Sequence, residues 1–363
     1  MSTQLMKASH QWASRPADER FTSLIAMLAH AKESRSQSKE AVVSSRRLNA
    51  IPDGNKGILI AGPNGHPATT TNFAFGQVAQ LAEAPARYLR TLPAPIAADC
   101  VNYGLQFKAT IADVGVLLQK DGHDGSPTIR SATGPRYGRI WNESVIEAMV
   151  DRFGDGVSGD WRVPGEFGKR VEVTKDNTTL YAGDRDMFVF LADEDHRIEI
   201  PNRRNGEPGS LARGFFCWNS EVGAATFGLG TFLFDYVCCN RIVWGAEQYG
   251  EIKIRHTASA PDRFLDEMRP ALENYAKSSS ASITDAVKSA QAARLDNVDE
   301  FLAKRFGART VDSMKGIHAL EEGRPIETVW DAATAATAYA RGIVWQDTRV
   351  DVERKAGELL KAA

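Results

Sequence analysis

The chain is poor in the residues and patterns that declare most chemistries. Its 363 residues include four cysteines, Cys100, Cys217, Cys238 and Cys239, and no Cys-x-x-Cys pair. Cys238 and Cys239 are adjacent, so in a strand they point to opposite faces and cannot both reach one metal. Small buried thiols in a reducing compartment are the expectation. No run approaches the roughly 18 apolar residues of a membrane-crossing helix, so no membrane partner is expected. Residues 1–20 hold no apolar segment of the kind a secretory leader uses, and cytoplasmic placement is expected.

Nucleotide and hydrolase signatures are missing too. Gly223 to Gly230, GAATFGLG, has neither the P-loop cradle nor the dinucleotide fingerprint, and its glycines are read as bulges or close strand approaches. AGPNGHPATTT, from Ala61 to Thr71, has no lysine at the P-loop position. Ser220 in WNSE lacks the elbow that exposes a serine nucleophile. An excess of one charge is absent: 44 Lys and Arg against 46 Asp and Glu give a formal net charge of −2. That excludes a wholesale polycation but not a local basic groove, because a groove's field depends on how the charge is distributed.

What is present is a concentrated β signal from Tyr181 to His256, in which aromatics, glycines and arginines alternate. Asp186 to Leu191, Gly214 to Asn219, Gly223 to Phe227, Tyr236 to Trp244 and Glu251 to His256 read as strands, with Arg197 to Ile200 as a hairpin arm on the first. Thr231 to Phe234 reads as a short helical or bulged link. Upstream, helices are expected over 17–32, from Thr71 to Leu89 and over Ala97 to Leu105. A further helix begins at Asn142 and ends at Gly154. Residues 33–56, rich in Ser, Lys and Arg, read as a loose, mobile link. After Ala260 the pattern turns helical to the end, with Pro270 inside the first helix. The expected fold is α+β: a largely antiparallel β core with helices, flanked by helical N- and C-terminal parts. The corresponding divisions are a helical segment with a linker at 1–70, an α+β core at 71–258 and a helical region at 259–363.

Three clusters could carry metal or proton chemistry. Asp121-Gly-His123-Asp-Gly brackets a histidine with carboxylates, although two glycines also make an ordinary turn. Asp184 and Asp186 lie on one face if their segment is a strand, where they could hold Mg²⁺ or ion-pair with arginines. Glu221 and His256 complete the ligand or base candidates. Basic residues interleaved with aromatics suit a single-stranded nucleic acid, with phosphates paired by arginine and bases stacked on rings. The phosphate candidates are Arg136, Arg139, Arg203, Arg204, Arg241 and Arg255; the stacking candidates are Tyr137 and Trp218.

Several segments resemble the phage/plasmid-like protein family that carries domain of unknown function 932. They are Phe73 to Leu105, Ile129 to Asn142 (IRSATGPRYGRIWN), Asp184 to Leu191 (DRDMFVFL), Arg213 to Gly245 and Ile254 to Thr257 (IRHT). Asn219-Ser-Glu-Val-Gly223 and Val237-Cys-Cys-Asn240 are the most specific, and Thr328 to Gly342 is similar to the family's helical tail. The resemblance implies a gene carried by mobile elements and supplies no catalytic residue. The order of elements after Ile129 is reminiscent of Rad-type and RecT-like annealing proteins, a fold-level analogy only. The leading expectation is a non-enzymatic protein that binds single-stranded DNA, for annealing or recombination, as a homo-oligomer and without a cofactor. Two alternatives stand beside it: a metal-dependent (Mg²⁺) enzyme acting on nucleic acid or nucleotides, and a counter-defence factor binding a host protein.

Overall fold

A computed structural model of the chain describes residues 15–55, 57–63, 65–120, 126–164, 172–201, 208–235, 240–242, 252–277, 281–343 and 346–362. Its first part holds β1 (Arg20–Phe21), α1 (Leu24–Ser36) and four strands: β2 (Ser38–Ser44), β3 (Asn49–Asp53), β4 (Gly57–Ala61) and β5 (Pro67–Thr70). Next come α2 (Asn72–Leu81), α3 (Ala86–Leu89), α4 (Ala94–Phe107), β6 (Asp113–Lys120), β7 (Pro127–Thr133) and α5 (Asn142–Phe153). The β-rich stretch follows: β8 (Trp161–Arg162), β9 (Leu180–Ala182), β10 (Met187–Asp193), β11 (Ile198–Ile200), β12 (Gly209–Asn219), β13 (Phe227–Asp235), β14 (Asn240–Ile242) and β15 (Ile252–Ile254). The chain ends in α6 (Ala260–Lys277), α7 (Ala281–Ala292), α8 (Val298–Phe306), α9 (Val311–Glu322), α10 (Val329–Ala340) and α11 (Gln346–Ala362). The fold is α+β, as expected. Among the described residues no helix is long and apolar enough to cross a membrane.

The strands form two sheets. The larger runs β1-β9-β10-β12-β13-β14, with β8 on β10, β11 on β12 and β15 on β13, all antiparallel. The smaller runs β2-β6-β7-β5-β4-β3 and is antiparallel except for β5 beside β7. Several expectations change here. Residues 33–56 are not a loose link, for they hold the end of α1 and strands β2 and β3. β2 has few large apolar side chains, but its seven residues pair in full register with β6, and those backbone hydrogen bonds supply what side-chain burial does not. The smaller sheet therefore runs across the division expected at residue 70. Ile198–Ile200 pairs with β12, not β10. Thr231 to Phe234 is continuous strand within β13, whereas Gly223 to Thr226 is the turn that precedes it.

Each sheet has its own core. Helices α1, α5 and α6 cover one face of the larger sheet through Met27, Ile146, Met149, Phe264 and Met268, which meet Val189, Leu191, Phe215 and Phe227. Its other face carries a separate aromatic layer of Phe188, Phe190, Phe216 and Phe232. In and beside that layer three rings each face a glycine across the β12–β13 ladder: Trp218 opposite Gly228, Phe216 opposite Gly230, Phe232 opposite Gly214. A Cβ at any of the three would fall 2.0–2.6 Å from the ring opposite. These are the close approaches that the glycine-rich segment predicts, made to rings rather than to backbone. The smaller sheet is covered by α2 and α4. The C-terminal helices pack around α10, whose alanine-rich surface is buried nearly all round. Thr328 and Asp331 close a capping box at its start.

Candidate nucleic-acid interface

Two chain segments meet where the sheets adjoin: the exit of β7 (Gly134 to Ile140) and the exit of β15 (Arg255 to Thr257). The Gly138 N–H donates to the His256 carbonyl (3.1 Å) and His256 Nδ1 donates back to the Gly138 carbonyl (3.1 Å). The Tyr137 and His256 rings stack with centroids 4.8 Å apart.

Behind this seam lies a wired polar layer built from the turn after β12. Glu221 is buried; one carboxylate oxygen accepts from Arg130 Nη1 (3.0 Å), the other from the Asn142 backbone N–H at the start of α5 (2.9 Å). A carboxylate suits that place, since a helix N-terminus carries unpaired N–H groups and partial positive charge. Asn219 Nδ2 donates to the Ile140 carbonyl and to Asn142 Oδ1, both 2.8 Å. Ser220 Oγ donates to the Arg185 carbonyl (2.7 Å) and accepts from the Ala224 N–H (2.9 Å). The Tyr137 hydroxyl donates to the Ser220 carbonyl (2.8 Å), and burial pushes its pKa up. Gln77 of α2 ties the two sheets, accepting from the Ala132 N–H (2.9 Å) and donating to the Val222 carbonyl (2.8 Å). Asn219-Ser-Glu-Val is thus a structural hub whose polar side chains are committed to structure.

The sequence candidates separate accordingly. Arg136 and Arg255 are exposed and flank the Tyr137–His256 stack from the two segments; among the described residues neither makes an ion pair. Arg139, expected on phosphate, is buried instead. Its Nε donates to Glu40 Oε1 (2.7 Å), and its guanidinium lies over the Tyr137 and Trp141 rings. Tyr137 is half-buried and already stacked. Trp218 is a packing ring, stacked on Phe216 at 5.4 Å and lying over Gly228. Arg241 is in β14, which fixes its backbone position alone. Arg203, Arg204 and the Asp121–Gly125 turn lie outside the described residues, as do Cys238 and Cys239. Cys217 is buried as expected, but Cys100 is exposed on α4.

The metal candidates are not brought together. Asp184 and Asp186 occupy a bend between β9 and β10 rather than a strand face; Asp186 pairs with Arg15, while Asp184 faces solvent. Glu221 is consumed by Arg130 and α5, and the His256 Nδ1 by Gly138. Among the described residues no three of His, Cys, Asp and Glu are placed to hold a metal ion.

Sequence reasoning missed the cleft beside the seam. A hollow of about 400 Å³ is lined by Asn72, Phe73, Gln77, Arg90, Arg185 and Gly223, among others including Asp184. The Arg185 guanidinium lies 5.4 Å from the Phe73 ring centroid, and Arg90 Nη2 donates to the Asn72 carbonyl (2.8 Å). Gly223 joins the cleft to the seam: a Cβ there would sit 3.7 Å from the Tyr137 ring. One signal was available, a glutamine (Gln77) between Phe75 and Val78 in an otherwise apolar helix face.

His256 gives the seam a pH dependence. Burial, aided by the Arg139 charge, holds its pKa below the usual imidazole range, although the hydrogen bond to Gly138 works the other way. The folded state therefore prefers the neutral ring. Stability linked to it is present above about pH 6.5 and is lost as pH falls toward the depressed folded-state value, by at most ~1.4 kcal/mol per pH unit. Thermal unfolding at pH 7.5 and 5.5 is expected to show a larger drop for the native chain than for His256→Gln.

Comparison of the chain with known protein families, with curated proteins and with solved structures finds no match.

Proposed function

We propose that the protein binds single-stranded nucleic acid along the seam, as part of an annealing or recombination function. The observation that carries this reading is the pair of exposed arginines, Arg136 and Arg255, each next in the chain to one ring of the Tyr137–His256 stack, neither ion-paired among the described residues. Beside them a cleft displays two further exposed arginines, Arg90 and Arg185. Four exposed guanidinium groups lie along the seam and its cleft, and arginine's fork matches phosphate geometry. The wiring beneath the seam holds these positions without using the Arg136 and Arg255 side chains. The patch is short, so assembly of several copies would supply affinity by multivalency.

Fluorescence anisotropy with labelled single-stranded and duplex DNA, across a salt series, tests the reading. Each phosphate contact on a single strand contributes about 0.7 to the slope of log affinity against log salt. Arg136→Ala with Arg255→Ala is expected to flatten that slope by about 1.4 and weaken binding at low salt. Wild-type binding with an unchanged slope in the double variant would remove the seam from the interface.

A further inference from the structure

A second surface, on the far side of the smaller sheet's helical layer, has the composition of a base-stacking site. Helix α4 buries Ala97, Ala98, Val101, Gly104 and Leu105 against the smaller sheet and α2. Gly104 makes that contact close: a Cβ there would fall 2.0 Å from the Ala82 carbonyl oxygen. The helix therefore already has its core face, yet Tyr103 and Phe107 point the other way, 59% and 69% exposed. At i and i+4 their rings meet with centroids 5.1 Å apart, tilted by 45°. Neither ring is needed by the core.

Beside the rings is a cleft of about 380 Å³, completed by Arg46, Arg47, Asn49, Asn102 and Gln106. Arg46 and Arg47 stand on a 3₁₀ turn between β2 and β3, exposed and without an ion-pair partner among the described residues. The turn is anchored: Ser45 Oγ donates to the Ile111 carbonyl (2.7 Å), and the Ser45 N–H to the Ala112 carbonyl (2.9 Å). The Asn102 side chain clasps β3, accepting from the Ala50 N–H (2.6 Å) and donating to the Ala50 carbonyl (2.9 Å). That pair of hydrogen bonds sets the distance between the aromatic pair and the arginine pair before any ligand arrives. Lys108 follows Phe107 and is exposed; Asp99, one turn before Tyr103, and Asp113 are the acidic groups nearby in sequence.

We infer that this cleft is a nucleotide-binding subsite for a single strand, with one or two bases stacked on Tyr103 and Phe107 and the adjoining phosphates held by Arg46 and Arg47. The chemistry selects the occupant. Unpaired bases offer flat π-faces that two exposed rings can take, and a strand carries a phosphate at each nucleotide for a fixed pair of guanidinium groups. Duplex DNA keeps its bases stacked inside and cannot use the rings. A purely apolar partner would leave Arg46 and Arg47 idle. The inference rests on the single-strand reading given above but uses none of the seam residues.

The test uses the full chain and four proteins: wild type, Tyr103→Ala with Phe107→Ala, Arg46→Ala with Arg47→Ala, and Arg136→Ala with Arg255→Ala. The probes are a labelled oligothymidine and an abasic strand of the same length, titrated across a salt series. Every changed side chain is exposed, and circular dichroism and thermal melts confirm that each variant is folded. The ring variant is expected to lose about tenfold or more in affinity for oligothymidine, to keep its affinity for the abasic strand, and to keep its salt slope. The arginine variant at the cleft is expected to lose slope on both probes. Photocrosslinking with iodouracil-substituted oligonucleotide is expected to give adducts at Tyr103 or Phe107. If wild type binds and the ring variant binds both probes equally well, without adducts at α4, the subsite is overturned while the seam stands. If the ring variant instead changes oligomeric state and keeps single-strand affinity, the face joins copies of the chain and the inference also falls. If wild type binds no single strand at low salt, both readings fall together.

Discussion

A chain carrying Glu221→Ala is expected to unfold about 3–5 kcal/mol more easily than the native protein, the cost of removing one partner from a buried ion pair. The residue sits in the segment whose polar character most invites a catalytic reading. Its carboxylate is buried between the Arg130 guanidinium and the first turn of α5. Truncation leaves Arg130 buried with Ser34 Oγ as its remaining side-chain partner, at 3.1 Å. It also leaves the Asn142 N–H without its acceptor and removes negative charge from a helix N-terminus. Glu221→Gln keeps the shape and one acceptor, so its cost is smaller, about 1–3 kcal/mol. Pairing Glu221→Leu with Arg130→Met removes both charges and should recover part of the loss, because the desolvated cation goes too. Urea unfolding of the four proteins reads all of this. A Glu221→Ala midpoint equal to wild type would show that the wiring is wrong and reopen the carboxylate as a reactive group.

The same residues show how far the sequence could be read. The β-rich stretch and the C-terminal helices are legible because their periodicities are strong and local. Pro270 inside α6 and Gly154 at the end of α5 fall where the pattern places them. The strands β2 and β3 of the smaller sheet were not legible. SKEAVVS in β2 has the composition of an exposed link, and its partner β6 lies about 75 residues away in the chain, which no local pattern can report. Nearness in sequence pairs β11 with β10, yet the turn between them is occupied by ion pairs. Glu194 and Asp193 hold Arg197 and Arg213 there, and β11 is left to pair with β12. Polar residues inside an apolar run have two explanations, chemistry or wiring, and composition does not separate them. Only the partners of Asn219, Ser220 and Glu221 decide for wiring. Arg136 and Arg255 were legible as basic, but their company was not, because it depends on contacts between residues 138 and 256. Tyr103 and Phe107 were hidden by the helix they belong to. A helix with one clear core face gives no reason to examine the opposite one.

Gly138→Ala is expected to be among the most damaging single-methyl additions this chain can receive. A Cβ on Gly138 would fall 1.8 Å from the Thr257 carbonyl oxygen and 2.7 Å from its carbon. Both obstacles are backbone, so no rotamer change relieves the clash. The two segments must separate by more than an ångström, and the paired bonds between Gly138 and His256 would be lost with the stack of Tyr137 on His256. Two hydrogen bonds, one of them only partly buried, and an aromatic contact together suggest a loss of about 2–4 kcal/mol. Gly134, four residues earlier in the same segment, is the control. A Cβ there meets nothing within 4 Å, so Gly134→Ala should melt with wild type. The consequence for function follows from the geometry. Arg136 and Arg255 are each next in the chain to one of the two stacked rings, so opening the contact changes the spacing of the two arginines proposed to bind phosphate as well as the stability. Measured well below the melting temperature, Gly138→Ala should therefore weaken single-strand binding, whereas Glu221→Ala, folded under the same conditions, should weaken it less. If Gly138→Ala melts like wild type, the segments are not in contact in solution, and the seam as a single surface is refuted. If it is destabilised yet binds single strands with native affinity and salt slope, the two arginines do not act as a pair.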